Sequence, residues 1–196
     1  RVTHLDYFVN SHPHPDHAEG KVVMEASEMI DGRTVIWDWN TFDYEDEFTL
    51  EGVNFFVYNT RDTDLYGHDA NPNSLAFRME YNGFVYTTGG DEGLKSMNRF
   101  QADHPDLVPA HVRKIAHHMW GPISAPFLRA CDSYLYIVPN AAEIIGYGGE
   151  YDDFDSVFIP DVVNWLRLNG GRIKNPGYAV TGVEGFIYIT ASDSVN

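Results

Sequence analysis

Residues 74–91, SLAFRMEYNGFVYTTGGD, constrain the fold more than any other segment. Two runs rich in aromatic and β-branched residues flank Asn82-Gly83, and Asn-Gly between such runs is a strong hairpin signal. At least one strand pair must therefore be antiparallel. Around this hairpin, strand-like runs alternate with helical ones. LDYFV (5–9), TVIWDW (34–39), GVNFFVYNT (52–60), HVRKIA (111–116), YLYIVPN (134–140) and GFIYITAS (185–192) read as strands. Segments 18–30, 92–103 and 159–170 read as helices, the last with a Pro-Asp start and a Gly stop. NTFDYEDEF (40–48) and RDTDLYGHDANPN (61–73) read as polar loops. The pattern predicts an α/β protein with mixed sheets. A chain of 196 residues that is 43% hydrophobic suits one domain over 1–196.

Charge narrows the partners. With 29 acidic residues against 13 Lys and Arg, the formal charge is −16, a field that repels long nucleic acid and anionic membrane. It leaves phosphate chemistry open, because a bound divalent metal reverses the local sign. No run reaches the length of a membrane span, and no signal-like h-region opens the chain. The compartment stays open between cytoplasm and secretion after loss of an upstream signal. The one cysteine, Cys131, sits in the apolar stretch FLRACDSYLYIV, where a buried inert thiol is expected.

The candidate chemistry begins at HPHPDH (12–17), directly after the strand-like run 5–9. Within six positions stand His12, His14, Asp16 and His17. On an extended loop His12 and His14 point to one side, while Asp16 and His17 turn toward a second point nearby. Imidazole and carboxylate suit Zn, Mn or Fe without any thiolate. A second node is Asp91, after two glycines at the end of a core strand; taken alone, it serves equally well as the cap of helix 92–103. A third is His117-His118 at the end of VRKIA. Consecutive strand residues face opposite ways, so one could bind metal while the other meets substrate. His68 is a looser candidate, and His4, His104 and His111 read as packing or surface residues.

In this order the three nodes resemble the metallo-β-lactamase fold superfamily. HPHPDH is similar to that family's His-x-His-x-Asp-His loop, VYTTGGD to the strand that delivers a bridging aspartate, and IAHHMWGP to the element carrying a downstream His. The hairpin, with YLYIVPN, VVNWLRLNGG and GFIYITAS, resembles the branch typified by the hydrolase domain of the bacterial DNA-uptake (competence) proteins. The resemblance implies an αββα sandwich. Family members carry further strands before the His loop, so this chain is expected to lack the N-terminal strands, or to be partial at that end. It also implies two metal ions, zinc first and Mn or Fe as alternatives. His12 and His14 would hold one, Asp16, His17 and His118 the other, and Asp91 would bridge them. His68 or Asn73 would complete the first. His117 would meet the substrate, and Asp16 would help orient a metal-bridging hydroxide.

The activity so implied is hydrolysis of a phosphodiester, and the charge favours a small or exposed one. Trp120, Tyr147 and Tyr151 are candidate pocket aromatics. Met119-Trp120 stands where the branch has a small Gly-Ser, and the branch's later His has no counterpart in GYGGEYDDFDS (146–156). Two other readings remain open. One is a non-catalytic binding or structural module on a decayed hydrolase scaffold. The other is a β-lactamase-like or thioesterase-like hydrolase of a carbonyl substrate.

Overall fold

A computed structural model of the chain describes residues 3–119, 124–139 and 178–180. The helix expected over 159–170, the strand over 185–192, Trp120, Tyr147, Tyr151 and segment 146–156 lie outside the described residues.

The hairpin forms as its sequence predicts. Strand β5 (Ala76–Tyr81) pairs antiparallel with β6 (Phe84–Thr88), and Asn82 and Gly83 both take positive φ, 46° and 79°. Two positive-φ residues make the turn whose twist matches that of the strands. Outward from β5 run β4 (Val53–Asn59) and β3 (Glu47–Leu50), both antiparallel. Beyond β6 come β7 (Val112–Lys114), β8 (Leu135–Val138) and β9 (Tyr178–Val180), all parallel. The result is one mixed seven-stranded sheet in the order β3-β4-β5-β6-β7-β8-β9. A separate parallel pair joins β1 (Tyr7–Val9) to β2 (Val35–Trp37).

Strand β4 shows how the layers divide, because successive side chains leave a strand on opposite faces. Phe56 and Tyr58 join a core with Met97 and Phe100 of α3 (Leu94–Asp103) and Phe127, Leu128 and Cys131 of α4 (Ala125–Cys131). Val57, one step out of phase, packs on the other face with Leu75 and Phe77. There Trp37 of β2 meets Phe42, Phe48, Phe55 and Phe77 at ring separations of 5.2–6.1 Å, which holds the two-stranded pair against the large sheet. The molecule is thus an α/β sandwich with a central mixed sheet. Cys131 is buried in its helical layer, and burial pushes the thiol up to about 12, as expected of an inert group.

Several elements depart from expectation. Helix α1 spans Pro15–Ala26, so it starts inside the His cluster rather than after it. Pro15 at its first position favours that start, since proline there loses no needed donor. Val22 and Val23 of this helix are exposed, flanked by Glu19, Lys21 and Glu25, so no apolar stripe anchors it. Strand β3 takes the end of the supposed acidic loop, where the Phe42–Phe48 stack at 4.8 Å outweighs the local charge. The loop 61–73 contains a one-turn helix, α2 (Thr63–Tyr66), capped by Asp62, whose carboxylate accepts from the Leu65 amide at 3.0 Å. Helix α4 and strand β9 carry no clear signal in the sequence. Their sequences are short and carry no distinctive period.

Candidate metal centre

Strands β6 and β7 are parallel and β5 is antiparallel to them, so the end of β6, the end of β7 and the start of β5 lie on one edge of the sheet. Three segments follow from those ends: Ser74 before β5, Gly89-Gly90-Asp91 after β6, and His117-His118 after β7. The His loop leaves β1 and is tied to the same edge, because the Leu75 amide donates to the Ser11 carbonyl at 2.8 Å. Ligand sites of α/β sheets gather at such carboxyl ends.

Asp91 is the hub. Only 3% exposed, it sits with its Oδ1 3.2 Å from His17 Nε2 and 3.8 Å from His118 Nε2. Its Oδ2 is 3.6 Å from His12 Nε2 and 3.8 Å from His117 Nε2. It does not cap helix α3, whose N-cap is Gly93. Instead its amide donates to Ser74 Oγ at 3.0 Å, which turns the carboxylate toward the histidines. Burial alone would raise this carboxyl; the nearby imidazoles of His17, His117 and His118 overrule it and hold it down at about 2.

Asp16, His17, Asp91 and His118 bring one donor atom each within 4.8 Å of one another. His17 Nε2 and His118 Nε2 are 3.0 Å apart, and Asp16 Oδ2 is 3.5 and 3.4 Å from them. Four donors at zinc-like bond lengths around a tetrahedral ion stand ~3.4 Å apart. The observed spacings therefore fit one divalent ion. His118 Nδ1 lies 2.7 Å from the Pro139 carbonyl, which fixes the tautomer with Nδ1–H donating and leaves Nε2 for a ligand role.

The remaining candidates surround this set. His12 is fully buried and its Nε2 has no hydrogen-bond partner among the described residues, while Nδ1 lies 3.1 Å from Ser11 Oγ and 3.2 Å from Ser74 Oγ. An orphaned ring nitrogen aimed at a carboxylate costs free energy unless something else occupies it. Burial, aided by His17, lowers this imidazole to about 4, so it is neutral near pH 7 and able to ligate. His14 is the N-cap residue of α1, with its ring 4.8 Å from that of His12. His117 Nε2 lies 3.3 Å from Asn71 Nδ2, at the partly open rim, and burial lowers its imidazole below the usual range. His68 is exposed in the wall of a cleft beside Pro13, outside the four-residue set. Asn73 is committed to structure: its Oδ1 accepts from the Asp62 amide and its Nδ2 donates to the Gly67 and Asp69 carbonyls.

One expectation needs correction. His117 and His118 are not on a strand with opposed faces; they lie in the one-turn segment Ala116–Met119 with φ of 47° and 51°. Left-handed backbone at two non-glycine residues costs about 1–2 kcal/mol each. Here the His117 amide donates to the Gly90 carbonyl at 3.2 Å, and the His118 bond to Pro139 offsets more of the strain. The result places both rings on the Asp91 side. Ser11, Ser74 and Asn71 escaped the sequence reading, because isolated Ser and Asn in loops carry no distinguishing pattern.

The two glycines before Asp91 are required by space. A Cβ on Gly90 would stand 2.7 Å from Ser11 Cβ and from Ser74 Oγ, and its φ is +29°. A Cβ on Gly89 would stand 2.6 Å from the Tyr58 hydroxyl. Gly90→Ala is expected to cost about 1–3 kcal/mol of stability, the usual range for overpacking, and to weaken metal binding at the same time. Urea unfolding together with a metal titration reads both; an Ala variant with wild-type values in each would show that the Ser11–Ser74 contact is loose.

A central mixed sheet flanked by helices, with an Asp/His cluster at its strand ends that offers a place for one metal ion, is consistent with a metallo-β-lactamase-like fold. No family model matches the chain, and no curated protein does either. Among solved structures it is similar to a provisionally named metal-dependent hydrolase from Parabacteroides distasonis. The two share 13% identity at a TM-score of 0.53, over 91% of this chain and 77% of that one. A provisionally named Zn-dependent hydrolase of the metallo-β-lactamase superfamily from Thermotoga maritima aligns at 15% identity and a TM-score of 0.39, over 67% and 57% of the two chains. At such identity, the likeness to the Parabacteroides protein is one of fold.

Proposed function

We propose that the chain is a metal-dependent hydrolase of a small or exposed phosphodiester, built as a single domain over 1–196. The observation that carries the reading is the convergence of Asp16, His17, Asp91 and His118 to one point at the sheet edge. His12 and His14 would hold a second ion, with Asp91 as a ligand shared with the first. The unpartnered His12 Nε2, 3.6 Å from Asp91 Oδ2, supports that second position. Zinc suits the His/Asp donor set, with Mn or Fe as alternatives.

When bound, divalent metal supplies Lewis acidity and makes water a nucleophile near neutral pH. The chain's own residues do the rest. Asp16, 61% exposed, reaches the cluster from the solvent side, placed to orient water and to accept its proton. His117, whose Nε2 accepts from Asn71 Nδ2, keeps its Nδ1–H as the donor toward a substrate oxygen. No serine or cysteine nucleophile is required, and Cys131 is buried away from the edge. The choice of phosphodiester is supported by the resemblance of residues 74–91 to the DNA-uptake hydrolase branch. The charge of −16 favours a small substrate over long nucleic acid.

Elemental analysis is expected to find metal in the protein as purified, and chelated protein is expected to hydrolyse bis-p-nitrophenyl phosphate only after Zn or Mn is added back. Undiminished turnover after exhaustive chelation would overturn the reading. Absence of both metal and turnover would favour the non-catalytic module, and preference for a β-lactam or thioester would favour the carbonyl hydrolase.

A further inference from the structure

A cleft of roughly 210 Å³ adjoins the centre, and its walls include Pro13, Trp39, Arg61, His68, Asp69 and Asn73. Sequence neighbours tie it to the site. Pro13 stands between His12 and His14, and Asn73 precedes Ser74, whose hydroxyl meets both His12 and Asp91. Asn71, on the same loop as His68 and Asp69, reaches His117.

Two side chains in this wall are left unspent by the fold. Trp37 makes ring contacts with Tyr7, Phe42, Phe48, Phe55 and Phe77, and so belongs to the core. Trp39 is only half-buried, packed by one part against the Val57–Leu75–Phe77 cluster, and stacks on no ring among the described residues. Its backbone is held, because its carbonyl accepts from Thr60 Oγ1 at 3.0 Å and from the Arg61 amide at 3.2 Å. The indole is therefore presented by a fixed loop, with the Arg61 guanidinium on the residue bonded to it.

Arg61 differs from four of the five other arginines among the described residues. Arg33, Arg78, Arg99 and Arg113 each hold a carboxylate. Arg61 instead donates to the neutral Asn40 Oδ1 at 2.8 Å and has no carboxylate within ion-pair distance among the described residues. Asp69 shares the wall, and one of its oxygens accepts from the Asn71 amide at 3.1 Å. With one guanidinium and one carboxylate among its lining residues, the cleft offers a single pairing position to an anionic group and disfavours a polyanion.

We propose that this cleft binds the non-reacting part of the substrate: a planar aromatic ring laid against Trp39 and carrying one anionic group paired with Arg61. An indole offers a stacking face to any ring, and a guanidinium fork matches a carboxylate or phosphate oxygen pair. The assignment rests on the hydrolase reading for its meaning, but the binding itself needs no metal.

Calorimetric titration of the full chain, as purified and again after chelation, separates the two. The probes are 1-naphthoate, its neutral amide, acetate and the doubly charged 1-naphthyl phosphate. The expected result is binding of 1-naphthoate before and after chelation, with the amide and acetate at least ~10-fold weaker and the naphthyl phosphate also weaker. Arg61→Gln, an exposed substitution checked by circular dichroism, is expected to bring 1-naphthoate down to the level of the amide. Trp39→Ala is expected to weaken 1-naphthoate and the amide alike. Equal binding of 1-naphthoate and its amide, tighter binding of the naphthyl phosphate, or loss of binding on chelation would overturn the assignment. Failure of hydrolysis with binding intact would count against the hydrolase reading alone.

Discussion

Asp91→Ala is expected to abolish metal retention and metal-dependent hydrolysis together, with the fold retained. Asp91 is the residue on which both groups of histidines converge: His17 and His118 face one carboxylate oxygen, His12 and His117 the other. Loss of an outer partner of a metal ligand costs roughly 10–100-fold in affinity. Loss of the shared carboxylate is expected to exceed the upper end of that range, since it removes a donor and a charge that offsets the cation. The fold should survive because Asp91 makes its structural bond through its backbone amide to Ser74, which alanine keeps. Asp91→Asn is the sharper variant, with the same shape and no charge. A metal titration followed by elemental analysis decides the matter: an Asn or Ala variant that retains wild-type metal content would remove Asp91 from the site.

The largest effect on stability is expected one residue farther on. Glu92, Arg113 and Tyr58 form a buried charged cluster, all three 1% exposed or less. The Arg113 guanidinium donates to Glu92 and, at 2.5 Å, to the Tyr58 hydroxyl, which itself donates to Glu92 Oε1 at 2.8 Å. The Arg113 guanidinium also lies 5.0 Å from the Phe127 ring centre, so its plane is packed as well as paired. Arg113→Met leaves a carboxylate stranded in the core, and Glu92→Gln leaves a guanidinium without its counter-charge. Each is expected to cost about 3–5 kcal/mol, as loss of one member of a buried pair commonly does. Against a typical total of roughly 5–15 kcal/mol, that is enough to bring the protein near unfolding at 37 °C. The double variant should cost less than the sum of the two, because no charge is then left alone. Urea denaturation of both singles and the double measures the coupling, and strict additivity would show that the pair does not act as a unit. Because Glu92 follows Asp91 and Gly89 closes over the Tyr58 hydroxyl, this cluster also anchors the loop that presents the metal-facing carboxylate.

Much of the site is legible in the chain, for a local reason. His12, His14, Asp16 and His17 fall within six residues, so whatever backbone they adopt keeps them close. The hairpin is legible because Asn82-Gly83 dictates its own turn. Asp91 was ambiguous between helix cap and ligand, since both roles use the same carboxylate after a glycine pair; the Ser74 bond and the Gly93 cap decide between them. The sequence reads His117 and His118 as strand, because VRKIA continues β-like to the pair. Their left-handed conformation depends on Gly90 and Pro139, which are distant in sequence.

The sequence by itself thus names candidate metal ligands, dictates one antiparallel hairpin, and alternates strand-like runs with helical ones. Each of these follows from residue type and spacing within a dozen positions. Only the tertiary structure decides that residues 17, 91 and 118 meet, that His12 Nε2 is buried with no hydrogen-bond partner among the described residues, and that Arg113 stays charged in a core. Those outcomes rest on parallel pairing of β6 with β7, and on burial by segments far apart in the chain. Neither hydrogen-bond register nor desolvation is a property of any local stretch.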